Sequence, residues 1–188
     1  MLMKNRHCAF LLAVFVAACQ NTPTTVEIVK KAKDAVVFVR AYDRSHHLKA
    51  QGSGFFVSDS EVVTNRHVIE LAYSCDIRLL TGRTYEAKSL VAAVDTIDLV
   101  KLLVETHGET IAHLEIEAEG IEEGEKVVVI GNPLGLENTT SEGIVSSIRH
   151  SAEFGDIIQM TAPISPGSSG SPVLNSRCKV VGVATITV

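Results

Sequence analysis

Residues 52–68 read Gly-Ser-Gly-Phe-Phe-Val-Ser-Asp-Ser-Glu-Val-Val-Thr-Asn-Arg-His-Val. Two short runs rich in β-branched and aromatic residues, Ser53–Val57 and Glu61–Thr64, stand close together, and a histidine follows the second. Such runs have the composition of strands. Working outward, the same pattern recurs at Ala35–Tyr42, Asp76–Leu80, Thr84–Ala93 and Leu99–Val104, with turn signals such as Thr81-Gly82 between several of them. Val68–Ala72 reads as one helical turn, and Val26–Lys33 as a short helix with Thr25 as its N-cap. A polar, acidic stretch from Glu105 to Glu125, containing Gly108, Gly120 and Gly124, reads as the connection between two lobes. Beyond it come candidate strands at Lys126–Gly131, Thr140–Ile148, Ile157–Thr161, Pro172–Asn175 and Val180–Thr187. Strands this short and this regularly spaced predict an all-β chain built of barrels or a sandwich, not a parallel α/β sheet.

The chain of 188 residues fits one compact domain or two small lobes. Hydrophobic residues make up 46% and charged residues 21%, enough apolar surface to bury a core. The formal charge of −5 is spread along the chain with no basic stripe, which argues against nucleic-acid binding. No Cys-x-x-Cys or Cys/His cluster suggests a metal site, and nothing calls for a cofactor.

The N-terminus reads as an export signal. Lys4 and Arg6 precede a ten-residue apolar run, Ala9–Ala18, too short to cross a membrane as a helix but of signal-peptide length. It ends in Val16-Ala17-Ala18-Cys19, which resembles a bacterial lipobox. That predicts a signal over residues 1–18, cleavage before Cys19 and lipid on Cys19, followed by a tether over 19–25. The plainer alternative is an ordinary secretory signal. Of the other cysteines, Cys8 would leave with the signal, while Cys75 and Cys178 could pair in an oxidising compartment.

The chemistry gathers around three residues. Ser169 lies in Pro166-Gly167-Ser168-Ser169-Gly170-Ser171-Pro172. A serine hydroxyl needs a base to take its proton and donors to hold the oxyanion. Small residues let backbone N–H groups converge, and those of Gly167 and Ser169 are the natural pair. His67 is the candidate base, at the end of an apolar strand and the start of a helical turn. Asp98, between Ile97 and Leu99-Val100, is the candidate carboxylate to orient it; Asp95 is the competitor.

With those residues in place a resemblance emerges. Gly52–Val57 followed by Val63–Val68 resembles the first-barrel signature of trypsin-like serine proteases of the HtrA (Deg) type. Asp95-Thr96-Ile97-Asp98-Leu99-Val100 resembles the family's aspartate motif, and Ala162–Asn175 its nucleophile segment. Gly131–Leu136 with Ser141–Ser146 resembles the opening of its second barrel. The resemblance runs from about residue 26 to 188, as a protease domain with no PDZ domain. It implies a two-lobed antiparallel β-barrel fold, with lobe one at about 26–107 and lobe two at about 121–188. It also implies a serine endopeptidase acting on protein or peptide substrates through His67, Asp98 and Ser169. An exported chain of this kind is expected on the periplasmic side of a bacterial membrane; Gln20 after Cys19 favours the outer membrane of a Gram-negative cell. A silent trypsin-fold lipoprotein serving as a binding module, and an amidase or esterase, are the alternatives.

Departures from the pattern sharpen the expectations. Ser171 stands where the family usually has a second glycine. Pro163 stands where trypsin has the aspartate that receives Lys or Arg, so a basic P1 preference is not expected. Five strands are counted in the second lobe, where the family has six, so that barrel is expected to lack its last strand. The strand at Val180–Thr187 would then carry an unpaired edge. Ile164 and Ala184 are expected near a shallow P1 pocket, with weak selectivity and slow turnover. Cys75 and Cys178 fall in different lobes by the same resemblance, which disfavours a bridge.

Overall fold

The structure, a computed structural model, describes residues 22–132, 139–151 and 155–185. The signal segment with Cys19, part of the motif at Gly131–Leu136 and the last three residues lie outside the described residues.

The chain opens with helix α1, Thr25–Ala32. Its N-cap is Thr24, one residue earlier than expected, because Glu27 sits at the third helical position and closes a capping box with Thr24. A single 3-10 turn, Lys33–Ala35, leads into the first unit. This is a closed antiparallel barrel of β1 (Val36–Tyr42), β2 (Leu48–Phe56), β3 (Glu61–Asn65), β4 (Ser74–Leu79), β5 (Thr84–Val94) and β6 (Leu99–Val104), in the order β1-β2-β3-β6-β5-β4. A four-residue helix α2, Arg66–Ile69, follows β3 directly. The second unit holds β7 (Lys126–Gly131), β8 (Thr139–Ser151), β9 (Gly155–Met160), β10 (Pro172–Leu174) and β11 (Val180–Val183). These form an antiparallel sheet in the order β11-β10-β7-β8-β9. That order repeats the first barrel with one place, between β9 and β11, unfilled among the described residues.

The edge of β11 is not bare throughout, contrary to the expectation. The connector lies parallel to it at Ile116, with Glu117 N donating to the Val180 carbonyl at 2.8 Å and Val180 N donating to the Glu115 carbonyl at 2.8 Å. Those bonds satisfy part of a row of backbone groups that would otherwise need water.

Alternation along the strands sends neighbouring residues to different cores. On β7, Val127 and Val129 face the second unit's own core, while Val128 and Ile130 join a cluster between the lobes. On β2, Phe56 packs inside the first barrel and Phe55 faces the interlobe cluster with Ile28, Val36, Leu114 and Leu174. Each fully buried side chain of this size contributes about 1.5–3 kcal/mol of transfer energy, so the interlobe cluster fixes one lobe on the other. Cys75 and Cys178 are both buried and unpaired. Cys75 sits on β4, and Cys178 in the turn before β11, its Sγ against the Ile28 carbonyl at 3.8 Å.

Candidate active site

His67 owes its position to the junction of β3 and α2. Asn65 ends the strand and caps the helix, so the next residues turn sharply toward the loop before β6. That loop is a 3-10 turn, Asp95–Ile97, and Asp98 follows it in the left-handed region at φ 54°. Aspartate is among the few side chains that tolerate this region. Its carbonyl accepts from Arg66 N at 2.9 Å and from Asn65 Nδ2 at 3.0 Å, which holds the turn closed.

The carboxylate meets His67 at two points. Asp98 Oδ1 accepts from the His67 backbone N at 2.9 Å, and Oδ2 lies 2.6 Å from Nδ1. The His67 and Asp98 side chains are 42% and 32% exposed, so Asp98 is half-buried. A neutral imidazole that donates from Nδ1 to a carboxylate presents Nε2 as an acceptor. Asp95 does not compete for this place: it pairs with Arg66 Nε at 3.1 Å and is largely exposed. Thr185, just beyond β11, adds a contact from the second unit, its Oγ1 at 3.4 Å from Asp98 Oδ2.

Ser169 comes from the second unit, in a loop docked against β2. Ser168 N donates to the Ser165 carbonyl at 2.8 Å, closing a turn with Pro166 and Gly167 at its centre. Gly167 has φ 94°, as the third position of a type II turn requires. Ser53 N donates to the Ser169 carbonyl at 2.7 Å. Gly170, at φ 88°, lies so close to β2 that a Cβ there would stand 1.9 Å from the Ser53 carbonyl oxygen. Gly52 is wedged the same way: a Cβ would fall 2.7 Å from Val68 Cγ2 and 3.0 Å from the Ser169 oxygen. Two bare backbones thus let the serine loop sit against the helical turn that carries His67. The arrangement brings the Ser169 loop, with its glycine-rich turn, close to the helical turn whose imidazole contacts a carboxylate.

The comparisons with known proteins bear on the family of this fold. Residues 52–183 match the model of the trypsin-like peptidase domain. The chain belongs to the trypsin-like peptidase family. It is 36% identical over 178 residues to "Serine protease HTRA2, mitochondrial" of Bos taurus, covering 86% of this chain and 38% of the relative. It is 37% identical over 144 residues to "Probable periplasmic serine endoprotease DegP-like" of Chlamydia trachomatis, covering 73% and 28%. The chain therefore spans about a third of the length of these curated relatives. Among solved structures it resembles Deg5, with TM-score 0.75 and 30% identity, covering 86% of this chain and 84% of that one. The Yersinia pestis serine endoprotease gives TM-score 0.75 and 28% identity over 88% and 59%.

Other residues of this trypsin-like peptidase fall as follows. Ile164 is partly exposed on the loop before Ser169, while Ala184 is buried in the second core with both backbone groups bonded to Gly170 and Ser171. Neither lines the apolar cleft of about 300 Å³ formed by Phe55, Val94, Leu99, Ile116 and Val180–Val183, which lies between the lobes. Ser171 is fully buried, and its Oγ has no hydrogen-bond partner among the described residues. Among the described residues no cluster of three His, Cys, Asp or Glu side chains is placed to hold a metal. Sequence reading passed over Asn65, Ser53 and Thr185. The signal for Thr185 was a polar group within the apolar run after Val180; Ser53 gave none beyond its place between two glycines.

Proposed function

We propose that this chain is an exported serine endopeptidase that cleaves peptide bonds through an acyl-enzyme intermediate. The observation that supports it most is the two-point contact between His67 and Asp98 beside the glycine-framed Ser169 loop. In this reading His67 Nε2 takes the Ser169 proton as Oγ attacks the peptide carbonyl, and returns it to the leaving amine. Asp98 holds Nδ1–H and stabilises the imidazolium. The N–H groups of Gly167 and Ser169 receive the oxyanion. Water then repeats the attack on the ester, with His67 again as base. Ile164 is a candidate contact for the P1 side chain. Buried Ala184 can shape the site only from behind.

Export is supported by the apolar run Ala9–Ala18 and by the periplasmic relative. In the same reading Cys19 carries the lipid that anchors the chain to its membrane, since several acyl chains on one residue give stable binding. Palmitate labelling in cells should mark the native chain and be lost in Cys19→Ala. Purified mature protein should degrade an unfolded protein substrate such as casein, and Ser169→Ala and His67→Ala should not. Undiminished cleavage by either variant would sink the mechanism.

A further inference from the structure

Ser53 is fully buried on β2 of the first barrel, yet its polar atoms reach across to the second unit. Its N–H donates to the Ser169 carbonyl at 2.7 Å. Its Oγ donates to the Gly167 carbonyl at 2.9 Å and accepts from Asn132 N at 2.9 Å. Its own carbonyl is held by Thr64 Oγ1 at 2.7 Å, so the residue is itself fixed to β3. One side chain and one N–H thus grip, by their carbonyls, the two residues whose N–H groups would hold an oxyanion.

We propose that Ser53 is a positioning residue for oxyanion stabilisation, acting through the Gly167 carbonyl; this rests on Ser169 being the nucleophile. Gly167 has no side chain to restrict it, and its φ of 94° is one that glycine shares with almost nothing else. A glycine in such a turn keeps its N–H aimed only if the peptides on both sides are held. Pro166 stiffens the preceding side. On the following side, the Gly167–Ser168 peptide is held at its N–H by the Ser165 carbonyl and at its oxygen by Ser53 Oγ. The second anchor belongs to the barrel that also carries His67 and Asp98. It therefore sets the hole relative to the base as well as relative to Ser169. Donors held in place before the reaction are what make such a hole effective.

The test is Ser53→Ala, which deletes the Oγ bonds and keeps the N–H bond to Ser169. The expected result is a fall in kcat of about 10-fold to 100-fold, a fraction of what removing a donor outright costs. KM should stay within about twofold. The inhibition constant of a peptide boronate, whose adduct is tetrahedral, should rise by the factor that kcat/KM falls. The acidic limb of the pH–rate profile should not move, because the His67–Asp98 contact is untouched. A general loosening of the fold would move KM and the pH profile too. Should Ser53→Ala not purify folded, Ser53→Cys keeps a weak donor at the same place and should show a smaller loss of the same kind. A kcat within about twofold of the parent, a loss confined to KM, or an unchanged boronate affinity would overturn the proposal. A parent enzyme with no turnover and no labelling at Ser169 would instead show that the reading of the nucleophile has failed.

Discussion

Replacing Ser171 by alanine should stabilise the protein. The Ser171 hydroxyl is fully buried and has no hydrogen-bond partner among the described residues. It points at Gly131 so closely that a Cβ there would stand 2.1 Å from it, so no wider space surrounds it on that side. Burying a hydroxyl without a partner costs about 1–3 kcal/mol on the scale of protein mutants. Alanine keeps the Cβ and removes one oxygen, and the lost packing contacts return about half a kcal/mol. The backbone bonds of Ser171 to Ser168 and Ala184 remain. The net gain is about 1 kcal/mol, or a rise in melting temperature of about 2–4 °C for a chain of this size. Differential scanning calorimetry of the mature chain and Ser171→Ala measures it. A fall of about 2 °C or more would mean instead that the hydroxyl makes a stabilising bond.

Two further outcomes follow from the site and the core. Asp98→Asn should lower kcat on a peptide substrate by about three to four orders of magnitude, because an amide no longer holds Nδ1–H in place; Asp95→Asn, which changes an exposed partner of Arg66, should leave it within about twofold. Burial, and then Asp76, push the Cys75 thiol from its ordinary 9.0 up to about 11. The folded state thus binds the proton more tightly than the unfolded chain, so stability present below about pH 9 is lost as pH rises toward 11. Cys75→Ala should flatten that alkaline decline in denaturant titrations, and an unchanged slope would contradict it.

Much of the fold was legible because its strands are short apolar runs. The runs at Lys126–Gly131 and around Phe55-Phe56 are continuous, not alternating, because adjacent residues face two different cores. What escaped was polar or governed by distant contacts. The first half of β2, Leu48–Gln51, is largely exposed, so it carries no apolar signal, yet it pairs with β1. β8 runs to Ser151, beyond the expected Ile148, for the same reason. At the candidate site, His67, Asp98 and Ser169 stood out in the sequence because each sits in a compact local motif. Ser53 did not: its bonds to Gly167 and Asn132 span 114 and 79 residues, and no local pattern encodes them. Asp98 has apolar sequence neighbours, yet they do not bury it. In the fold Ile97 turns outward and the carboxylate stays within reach of solvent.

Covalent labelling reads directly whether His67 activates Ser169 as a nucleophile. Purified mature protein should be treated with a fluorophosphonate probe and digested, and the modified peptide sequenced by mass spectrometry. A single adduct on Ser169 is expected, lost in Ser169→Ala and strongly slowed in His67→Ala. No adduct on folded protein, or an adduct on another residue that persists in Ser169→Ala, would contradict it.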